Sequence, residues 1–177
     1  MAGNNGGRFD LIIVGSGPGG YVAAIRGAQL GLNVACVEAD ALGGVCLNIG
    51  CIPTKAMLTS AFLVGEMKNA AQHGIVAKEV SFDLGPAQER SRRVADQMAK
   101  GIGFLFKKNK VTHIQGYGRL KGKGKVEVED ASGTKTLYDA THVLFATGSR
   151  PRDLPVLKID EDRIWSSTGA LMQTTAP

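Results

Sequence analysis

The sequence predicts an α/β fold, a parallel sheet covered by helices with a small antiparallel β insertion. An apolar, β-branched run at residues 9–14 stops at Gly15, which is typical of a buried parallel strand. An Ala-rich stretch at 21–30 is closed by Gly31, as helices often are. A second apolar run at 33–38 completes a strand–helix–strand unit of about 30 residues.

The later elements follow from helix and turn signals. Pro53 favours the first turn of a helix that we expect to reach about residue 71. Apolar residues at helical spacing predict a second helix over about 87–109. A short Ser-capped helical piece is expected to end at Met172. Short runs between Gly, Lys and Asp turns predict the strands of the antiparallel insertion, at 111–115, 125–129, 136–138 and 142–147.

The length and composition predict one globular domain. The chain has 177 residues, of which 44% are hydrophobic and 21% charged, so it is neither disordered nor collagenous in character. Without an apolar run of about 18 residues, no membrane partner is expected. We expect a flexible amino terminus at 1–8 and a single domain over 9–177. The 24 glycines call for local explanations, as turns or as close approaches of the backbone to a ligand.

The net charge of +5 comes from one region rather than from the whole surface. Residues 90–135 hold 12 of the 21 Lys and Arg residues and only 4 of the 16 Asp and Glu residues. Much of this excess lies in the segment 121–125 (KGKGK), which favours a solvated turn between two strands. Because no base-stacking aromatics are interleaved with these lysines, we expect no nucleic-acid partner.

Three cysteines, Cys36, Cys46 and Cys51, are too few and odd in number for a secreted disulfide framework. The first eight residues also lack the pattern of a signal or transit peptide, so we expect a cytoplasmic protein. The three histidines are isolated from one another and from the cysteines, which argues against a metal site.

The first chemical motif is Gly15-Ser16-Gly17-Pro18-Gly19-Gly20, between the first strand and the first helix. In this Gly-x-Gly-x-x-Gly pattern, the glycines allow a tight turn, approach to a pyrophosphate and close helix packing. Glu38, at the tip of the next strand, is placed to accept the hydroxyls of a ribose. The motif predicts a Rossmann-like dinucleotide-binding domain, without separating FAD from NAD.

The second motif is Cys46-Leu47-Asn48-Ile49-Gly50-Cys51, followed by Ile-Pro-Thr-Lys. Two cysteines five residues apart, just ahead of a helix, can form a small-loop disulfide. Opening it would give thiolates stabilised by the positive end of the helix and by Lys55. Two unrelated thiols are the alternative, which fits the glycine-rich approach at 42–45 poorly.

These motifs resemble the redox-disulfide segment of the flavin-dependent pyridine nucleotide–disulfide oxidoreductases. The resemblance rests on Gly-Gly-x-Cys, the four-residue spacing and Cys-Ile-Pro-Thr-Lys, and it extends to Gly-Tyr-Gly at 116–118 and Ala-Thr-Gly-Ser-Arg-Pro at 146–151. The family's members are much longer. We therefore expect this chain to correspond to their amino-terminal FAD-binding portion, with the NAD-binding and interface domains outside it.

The resemblance implies roles for individual residues. Cys46 would exchange with a dithiol substrate, and Cys51 would be the thiolate lying against the flavin. Lys55 would approach the flavin ring. The residues implied to contact FAD are Gly15, Ser16, Gly17, Pro18, Gly20, Glu38, Ala39, Gly43, Gly44, Val45, Cys46, Lys55, Tyr117, Gly118, Thr147, Gly148 and Ser149.

The implied activity is oxidation of dihydrolipoamide to lipoamide with NAD⁺ as final acceptor and FAD as intermediate carrier. The implied partners are the lipoyl group of an acyltransferase component, within a 2-oxoacid dehydrogenase complex, and a second copy of the chain in a homodimer. Another disulfide reductase of the same family and a non-catalytic flavin-binding module are the alternatives.

Overall fold

The computed structural model describes residues 4–176, and the chain divides into two compact units. Unit 1 comprises the described parts of 1–46 and 98–149, and unit 2 comprises those of 47–97 and 150–177. The assignment of 9–177 to one domain stays a prediction.

Strands and helices alternate in the first part of the chain. The strands are β1 (Asn4–Val14), β2 (Val34–Glu38), β3 (Thr112–Gln115), β4 (Tyr117–Leu120), β5 (Lys125–Glu129) and β6 (Lys135–Phe145). The helices are α1 (Pro18–Gln29), α2 (Gly44–Ile49), α3 (Cys51–Asn69), α4 (Leu84–Lys108) and α5 (Ser167–Met172), with a 3₁₀ turn at Ala70–His73.

All six strands form one sheet in unit 1, in the order β3-β2-β1-β6-β5-β4. The strands β3, β2, β1 and β6 are parallel, with Ile12 of β1 opposite Ala35 of β2 and Val143 of β6. The strands β4, β5 and β6 pair antiparallel. The predicted fold class, a parallel sheet with an antiparallel insertion, is confirmed, but the strand predicted at 111–115 as part of the insertion is instead the parallel strand β3, which pairs with β2.

The strand β6 differs from its prediction. Two short strands were expected at 136–138 and 142–147, but the structure has one continuous strand of 11 residues. Its first half pairs with β5 and nearly all of it pairs with β1. Asp139 is therefore held on both sides, and Ala140 pairs with β1 while its amide donates to the Gly124 carbonyl at 2.8 Å. The polar residues that suggested a turn are instead part of a doubly paired strand.

The first strand begins before the predicted position. Residues 4–8, expected in a flexible amino terminus, pair with β6 through Asn4↔Thr136, Asn5↔Leu137 and Arg8↔Asp139. A register shift lies between Asn5 and Arg8, where two glycines let the strand bulge. Residues 1–3 of that predicted segment lie outside the described residues.

The helices depart from their predictions mainly at their starts. A short helix, α2, carries Cys46 where a glycine loop was expected. The helix α3 starts at Cys51, two residues before Pro53, which is buried in the first turn. That position suits proline, because the first amides of a helix have no partner within it. The Ser-capped α5 is confirmed, since the Ser166 hydroxyl accepts from the Gly169 amide at 3.1 Å.

The core of unit 1 forms where alternate side chains of the sheet meet. Its members are apolar and almost fully buried: Ile12, Val14, Ala35, Val37, Val126 and Val128. From the unit 1 part of α4, Phe106 is also buried, and its ring lies edge-on to that of His113 at 6.4 Å between centroids.

One described helical stretch, Gly44–His73, passes a length-and-composition test for a membrane span, with a mean hydropathy of 1.3 and 17% of the tested window buried. The stretch is not one continuous α-helix, because Gly50 (φ −146°, ψ −115°) leaves helical geometry between α2 and α3. It also carries Lys55, Glu66 and Lys68, which are costly in hydrocarbon. The absence of a membrane partner stays a prediction.

Phe106→Ala is expected to lower the free energy of unfolding by about 3 to 5 kcal/mol, because it leaves a cavity where a fully buried ring was. Phe104→Ala on the same helix is the control, since that ring is 65% exposed, and it should change stability by less than about 0.5 kcal/mol. Urea denaturation followed by circular dichroism measures both. Equal losses in the two variants would contradict this account of the core.

Candidate functional site

The candidate site lies in unit 1, at the carboxyl ends of the parallel strands. Backbone hydrogen bonds join these ends: the Gly15 amide donates to the Val37 carbonyl, and the Ala146 amide to the Val14 carbonyl, both at 2.8 Å. The Gly116 amide donates to the Glu38 carbonyl at 2.8 Å. The loops after β1, β2, β3 and β6 therefore meet at one sheet edge, where open α/β sheets bind their ligands.

The three glycines of the first motif have different reasons to be glycine. Gly15 has φ +100°, and a Cβ there would overlap the carbonyl of Ala146. A Cβ on Gly20 would overlap the carbonyl of Gly15. Gly17 has an ordinary φ of −63°, and a Cβ on it would meet no atom of the described residues within 4 Å. Packing thus explains Gly15 and Gly20, whereas the open space beside Gly17 suits a ligand that approaches the backbone.

The amino-terminal end of α1 suits an anion. The helix begins at Pro18 after Gly17, has no side-chain cap, and carries no acidic residue in its first turn. The partial positive charge of this end is therefore not offset by side chains of the helix itself. Backbone amides of this kind, following a glycine turn, fit the pyrophosphate of a dinucleotide.

Glu38 connects the first loop to the second strand. Its Oε2 accepts hydrogen bonds from the amide and hydroxyl of Ser16, at 2.8 and 2.7 Å, and its Oε1 accepts one from the Asp40 amide at 2.9 Å. Partial burial acts to raise the pKa of Glu38, but the hydrogen bonds from Ser16, Asp40 and Ala39 outweigh it and hold this pKa below its ordinary value. The carboxylate is therefore ionised at neutral pH.

The loop from β2 to Cys46 is held against the glycine loop. The Gly43 amide donates to the Ser16 carbonyl at 3.1 Å and to the Ser16 hydroxyl at 3.3 Å. Gly44 has φ +59°, and a Cβ on it would lie 2.8 Å from the Cα of Gly17. From β3, the Gln115 side-chain amide holds the carbonyl of Ala39 at 3.0 Å. Residues 43–44 thus lie directly beside the predicted pyrophosphate loop.

The later predicted contacts lie at the same edge. Tyr117 and Gly118 begin the strand β4. A Cβ on Gly118 would come within 3.0 Å of the Val14 side chain, so this glycine lets β4 lie close to the core. Tyr117 is half-exposed, with the Arg119 guanidinium 4.6 Å above its ring. Residues 147–149 are exposed and directly follow β6.

The cysteines differ in their surroundings. Cys36 is fully buried in β2, and its burial, aided by the Glu38 carboxylate, raises the pKa of this thiol to about 12. Cys46 is partly exposed in α2, and Cys51 is exposed as the first residue of α3, one turn before the exposed Lys55. Cys46 is the last residue of the first segment of unit 1, whereas Cys51 and Lys55 belong to unit 2. The roles assigned to these residues by resemblance stay predictions.

The sequence analysis missed two arginines of α4 in unit 2. The Arg92 Nη1 donates to the Asn48 carbonyl at 2.7 Å, and the Arg90 Nη1 donates to the Ala56 carbonyl at 2.9 Å. The Asn48 carbonyl lies three residues before Cys51, inside the second motif, and the Ala56 carbonyl lies five residues after Cys51. The basic region was interpreted as a charge excess only, so the contact of these arginines with the second motif was not foreseen.

Much of the basic region is neutralised locally in unit 1. Lys121 pairs with Glu127 at 3.3 Å across β4 and β5, and Lys125 pairs with Asp139 at 2.7 Å across β5 and β6. Arg119 lies 2.7 Å from the carboxylate of Glu129. These ion pairs are exposed and weak individually, but they show that two of the three lysines of the predicted turn, Lys121 and Lys125, have acidic neighbours. Within residues 4–176, no cluster of three or more His, Cys, Asp or Glu side chains is arranged to hold a metal.

The sheet order, the glycine loop and the ionised Glu38 define a dinucleotide-binding α/β protein. Residues 9–177 match the family of pyridine nucleotide-disulphide oxidoreductases, and the chain belongs to that family. The resemblance drawn from the motifs is thereby confirmed.

Individual relatives agree with this assignment. Dihydrolipoyl dehydrogenase from Zymomonas mobilis is 47% identical over 170 residues, covering 96% of this chain and 36% of that protein. Leghemoglobin reductase from Vigna unguiculata is 45% identical over 170 residues, covering 95% of this chain and 32% of that protein. The crystal structure of LpdA from Mycobacterium tuberculosis has a TM-score of 0.85 at 25% identity, covering 95% of this chain and 37% of that one. The chain thus spans about a third of the length of these relatives.

Glu38→Gln is expected to lower stability by about 1 kcal/mol at pH 7, because a neutral amide replaces a partly exposed carboxylate that accepts three hydrogen bonds. The folded-state pKa of Glu38 is lowered, so its contribution is present above the ordinary carboxyl pKa and is lost as the pH falls through the folded value. Urea titrations at pH 7 and about pH 3 measure this.

Glu66→Gln, at an exposed position of α3, is the control and should leave the free energy of unfolding unchanged at both pH values. A stability difference for Glu38→Gln that is equally large at both pH values would contradict the assigned role of the carboxylate.

Proposed function

We propose that this chain is the FAD-binding and redox-disulfide portion of a dihydrolipoamide dehydrogenase. The complete reaction converts dihydrolipoamide and NAD⁺ to lipoamide, NADH and a proton. The observation that carries the proposal is the meeting of the glycine loop, Glu38 and the loop to Cys46 at one sheet edge, joined by Ser16. Membership of the pyridine nucleotide-disulphide oxidoreductases and the dihydrolipoyl dehydrogenases among its relatives support it.

The residues of unit 1 fit FAD as a ligand. The uncapped start of α1 would bind the pyrophosphate, and the ionised Glu38 would accept from the ribose hydroxyls. Gly43 and Gly44 would border the cofactor next to the cysteine, with Tyr117, Gly118 and residues 147–149 at further contacts. When bound, FAD supplies a two-electron carrier between the cysteine pair and NAD⁺.

The cysteines would take up the electrons of the substrate by disulfide exchange. One thiolate of dihydrolipoamide attacks the Cys46 sulfur, the Cys46–Cys51 bond breaks, and Cys51 leaves as a thiolate. The second substrate thiol, after losing its proton, attacks the mixed disulfide and releases Cys46. The dithiol is thus oxidised to cyclic lipoamide while the protein disulfide is reduced to two thiols. The positive end of α3 and Lys55 would favour the thiolate of Cys51.

We propose further that the partner is the lipoyl group of an acyltransferase component of a 2-oxoacid dehydrogenase complex, and that the complete protein is a homodimer. The NAD site is assigned to a part of the protein outside these 177 residues. A cytoplasmic location is proposed because disulfides of cytosolic proteins are usually transient and catalytic, as this cysteine pair is proposed to be.

A second reductase activity is the alternative, and one observation favours keeping it. The relative from Vigna unguiculata, at 45% identity, is named leghemoglobin reductase, whereas a relative at 47% identity is named dihydrolipoyl dehydrogenase. Similarity across these residues therefore does not separate the two electron acceptors. Oxidation of dihydrolipoamide with NAD⁺ and with leghemoglobin as the electron acceptor, measured side by side, distinguishes them.

Gly17→Ala is expected to weaken FAD binding by at least about tenfold without lowering thermal stability of the ligand-free protein. Its Cβ would enter open space in the protein but would block the approach of the pyrophosphate. Gly20→Ala is the matched contrast, because its Cβ would overlap the Gly15 carbonyl and should destabilise the ligand-free fold. Flavin fluorescence titration and thermal melting measure the two effects. Unchanged FAD affinity in Gly17→Ala would contradict the proposed position of the cofactor.

Cys46→Ser, in the complete flavin-loaded protein, is expected to abolish lipoamide turnover while retaining bound flavin. The sulfur that forms the mixed disulfide is lost, whereas the loops that hold the cofactor are kept. Cys36→Ala is the control and should retain turnover, because Cys36 is buried in β2 and poorly ionised. Measurable lipoamide turnover in Cys46→Ser would exclude the proposed chemistry. If the protein were instead a binding-only flavin module, the unmodified protein itself would show no turnover.

A further inference from the structure

Two arginines of α4 contact the chain around Cys51, within unit 2. The Arg92 Nη1 donates to the Asn48 carbonyl at 2.7 Å, and the Arg90 Nη1 donates to the Ala56 carbonyl at 2.9 Å. Asn48 lies in the last turn of α2, three residues before Cys51, and Ala56 lies five residues after it. Cys51 is thus bracketed by two backbone carbonyls that α4 holds.

Arg92 is unusual because part of its guanidinium is buried without a counter-ion, although the residue as a whole is half-buried. Its Nε and Nη2 are inaccessible to solvent and have no hydrogen-bond partner within the described residues. None of the ion pairs in residues 4–176 includes Arg92. A guanidinium withdrawn from water in this way is costly to maintain, and a nearby negative charge would offset that cost.

The geometry brings this charge close to residues 46–51, the proposed redox segment. The Asn48 carbonyl belongs to the carboxyl end of α2, where the helix has partial negative charge and accepts a cation favourably. Three residues of chain keep the Cα atoms of Asn48 and Cys51 within about 11 Å of each other. At this range, a charge in a partly desolvated site still acts appreciably on a second charge.

We propose that Arg92 is a positioning residue of the redox segment, which fixes the chain before Cys51 through the Asn48 carbonyl and favours the thiolate of that cysteine after reduction. The inference rests on the proposed function, because it assumes that Cys51 becomes a thiolate during turnover. The negative charge formed on reduction supplies the counter-charge that the guanidinium lacks. Arg92 therefore stabilises the reduced form of the pair relative to the oxidised form.

Other charged groups of the same elements act on the same thiol and must be counted. On α3 the charged side chains are those of Lys55, Glu66 and Lys68, and on the unit 2 part of α4 they are those of Glu89, Arg90, Arg92, Arg93 and Asp96. Of these, only Arg90 and Arg92 are recorded with hydrogen bonds to the backbone of residues 47–56. Lys55, one turn along α3, acts in the same direction as Arg92 and is left unchanged in the test.

Arg93 provides a matched control on the neighbouring position of α4. Its side chain is 69% exposed and pairs with Glu89 at 3.6 Å, one turn earlier in the helix. Arg93→Gln therefore removes the same charge from nearly the same place in the sequence. It leaves the buried contact with Asn48 intact.

The test follows thiolate formation in the complete flavin-loaded protein after reduction of the cysteine pair. The rate of alkylation by iodoacetamide is measured against pH, and mass spectrometry separates modification of Cys51 from that of Cys46. Arg92→Gln keeps a hydrogen-bond donor and removes the charge, whereas Arg92→Lys keeps the charge. Flavin content and the melting temperature are recorded for every variant.

Arg92→Gln is expected to move the midpoint of the Cys51 profile upward by about half a pH unit or more, because loss of a nearby positive charge disfavours the thiolate, while the exposure of Cys51 to solvent weakens the effect. Arg92→Lys and Arg93→Gln should stay within about 0.3 pH unit of the unmodified protein, because each retains the charge at position 92. A Cys51 profile for Arg92→Gln that superimposes on that of the unmodified protein overturns the proposal.

Should Arg92→Gln fail to fold, Arg92→Met takes its place, because methionine keeps a long unbranched side chain and removes the charge. An upward shift of the Cys51 midpoint by about half a pH unit or more supports the proposal, and a profile that superimposes on that of the unmodified protein overturns it. The profile is recorded without dihydrolipoamide or NAD⁺. A failure of the proposed function appears instead as absent lipoamide turnover in the unmodified protein, so the two failures are separate readings.

Discussion

The candidate site depends on the hydrogen bonds between Glu38 and Ser16. The glycine loop after β1 has little side-chain mass of its own, so its position has to be fixed from outside. The carboxylate at the end of β2 does this by accepting from both the amide and the hydroxyl of Ser16. Ser16 in turn accepts from the Gly43 amide through its carbonyl and its hydroxyl, which brings the approach to Cys46 into register with the glycine loop. Ser16 thus connects the start of α1, the end of β2 and the chain that leads to Cys46.

The same arrangement explains why the site suits a large, anionic and hydroxylated ligand. The uncapped start of α1 attracts negative charge, whereas the ionised Glu38 attracts hydroxyl donors and repels phosphate. A dinucleotide satisfies both at once, with its pyrophosphate at the helix and a ribose at the carboxylate. Backbone contacts, rather than large side chains, make most of this surface, so the glycines there are determined by geometry.

The sequence predicted the parts of the site that depend on local patterns. The glycine spacing, Glu38 and the cysteine motif are each set by residues close together in the chain, and the parallel order of β1 and β2 follows from one strand–helix–strand unit. Contacts between distant segments were not predicted: Arg92 meets Asn48 across 44 residues, and Gln115 meets Ala39 across 76. The continuity of β6 was missed for a similar reason, since it depends on pairing with β1 and β5 and not on its own polar residues.

The burial of Cys36 limits what the chain's thiols can do to one another. Three cysteines allow three disulfides, and two of those would involve Cys36. Its side chain is fully enclosed in β2, and its raised pKa of about 12 leaves almost no thiolate at physiological pH. Scrambling into the wrong pairing is therefore suppressed both sterically and chemically. A protein that repeatedly opens and closes one disulfide gains fidelity from this, because the third sulfur takes no part in the exchange.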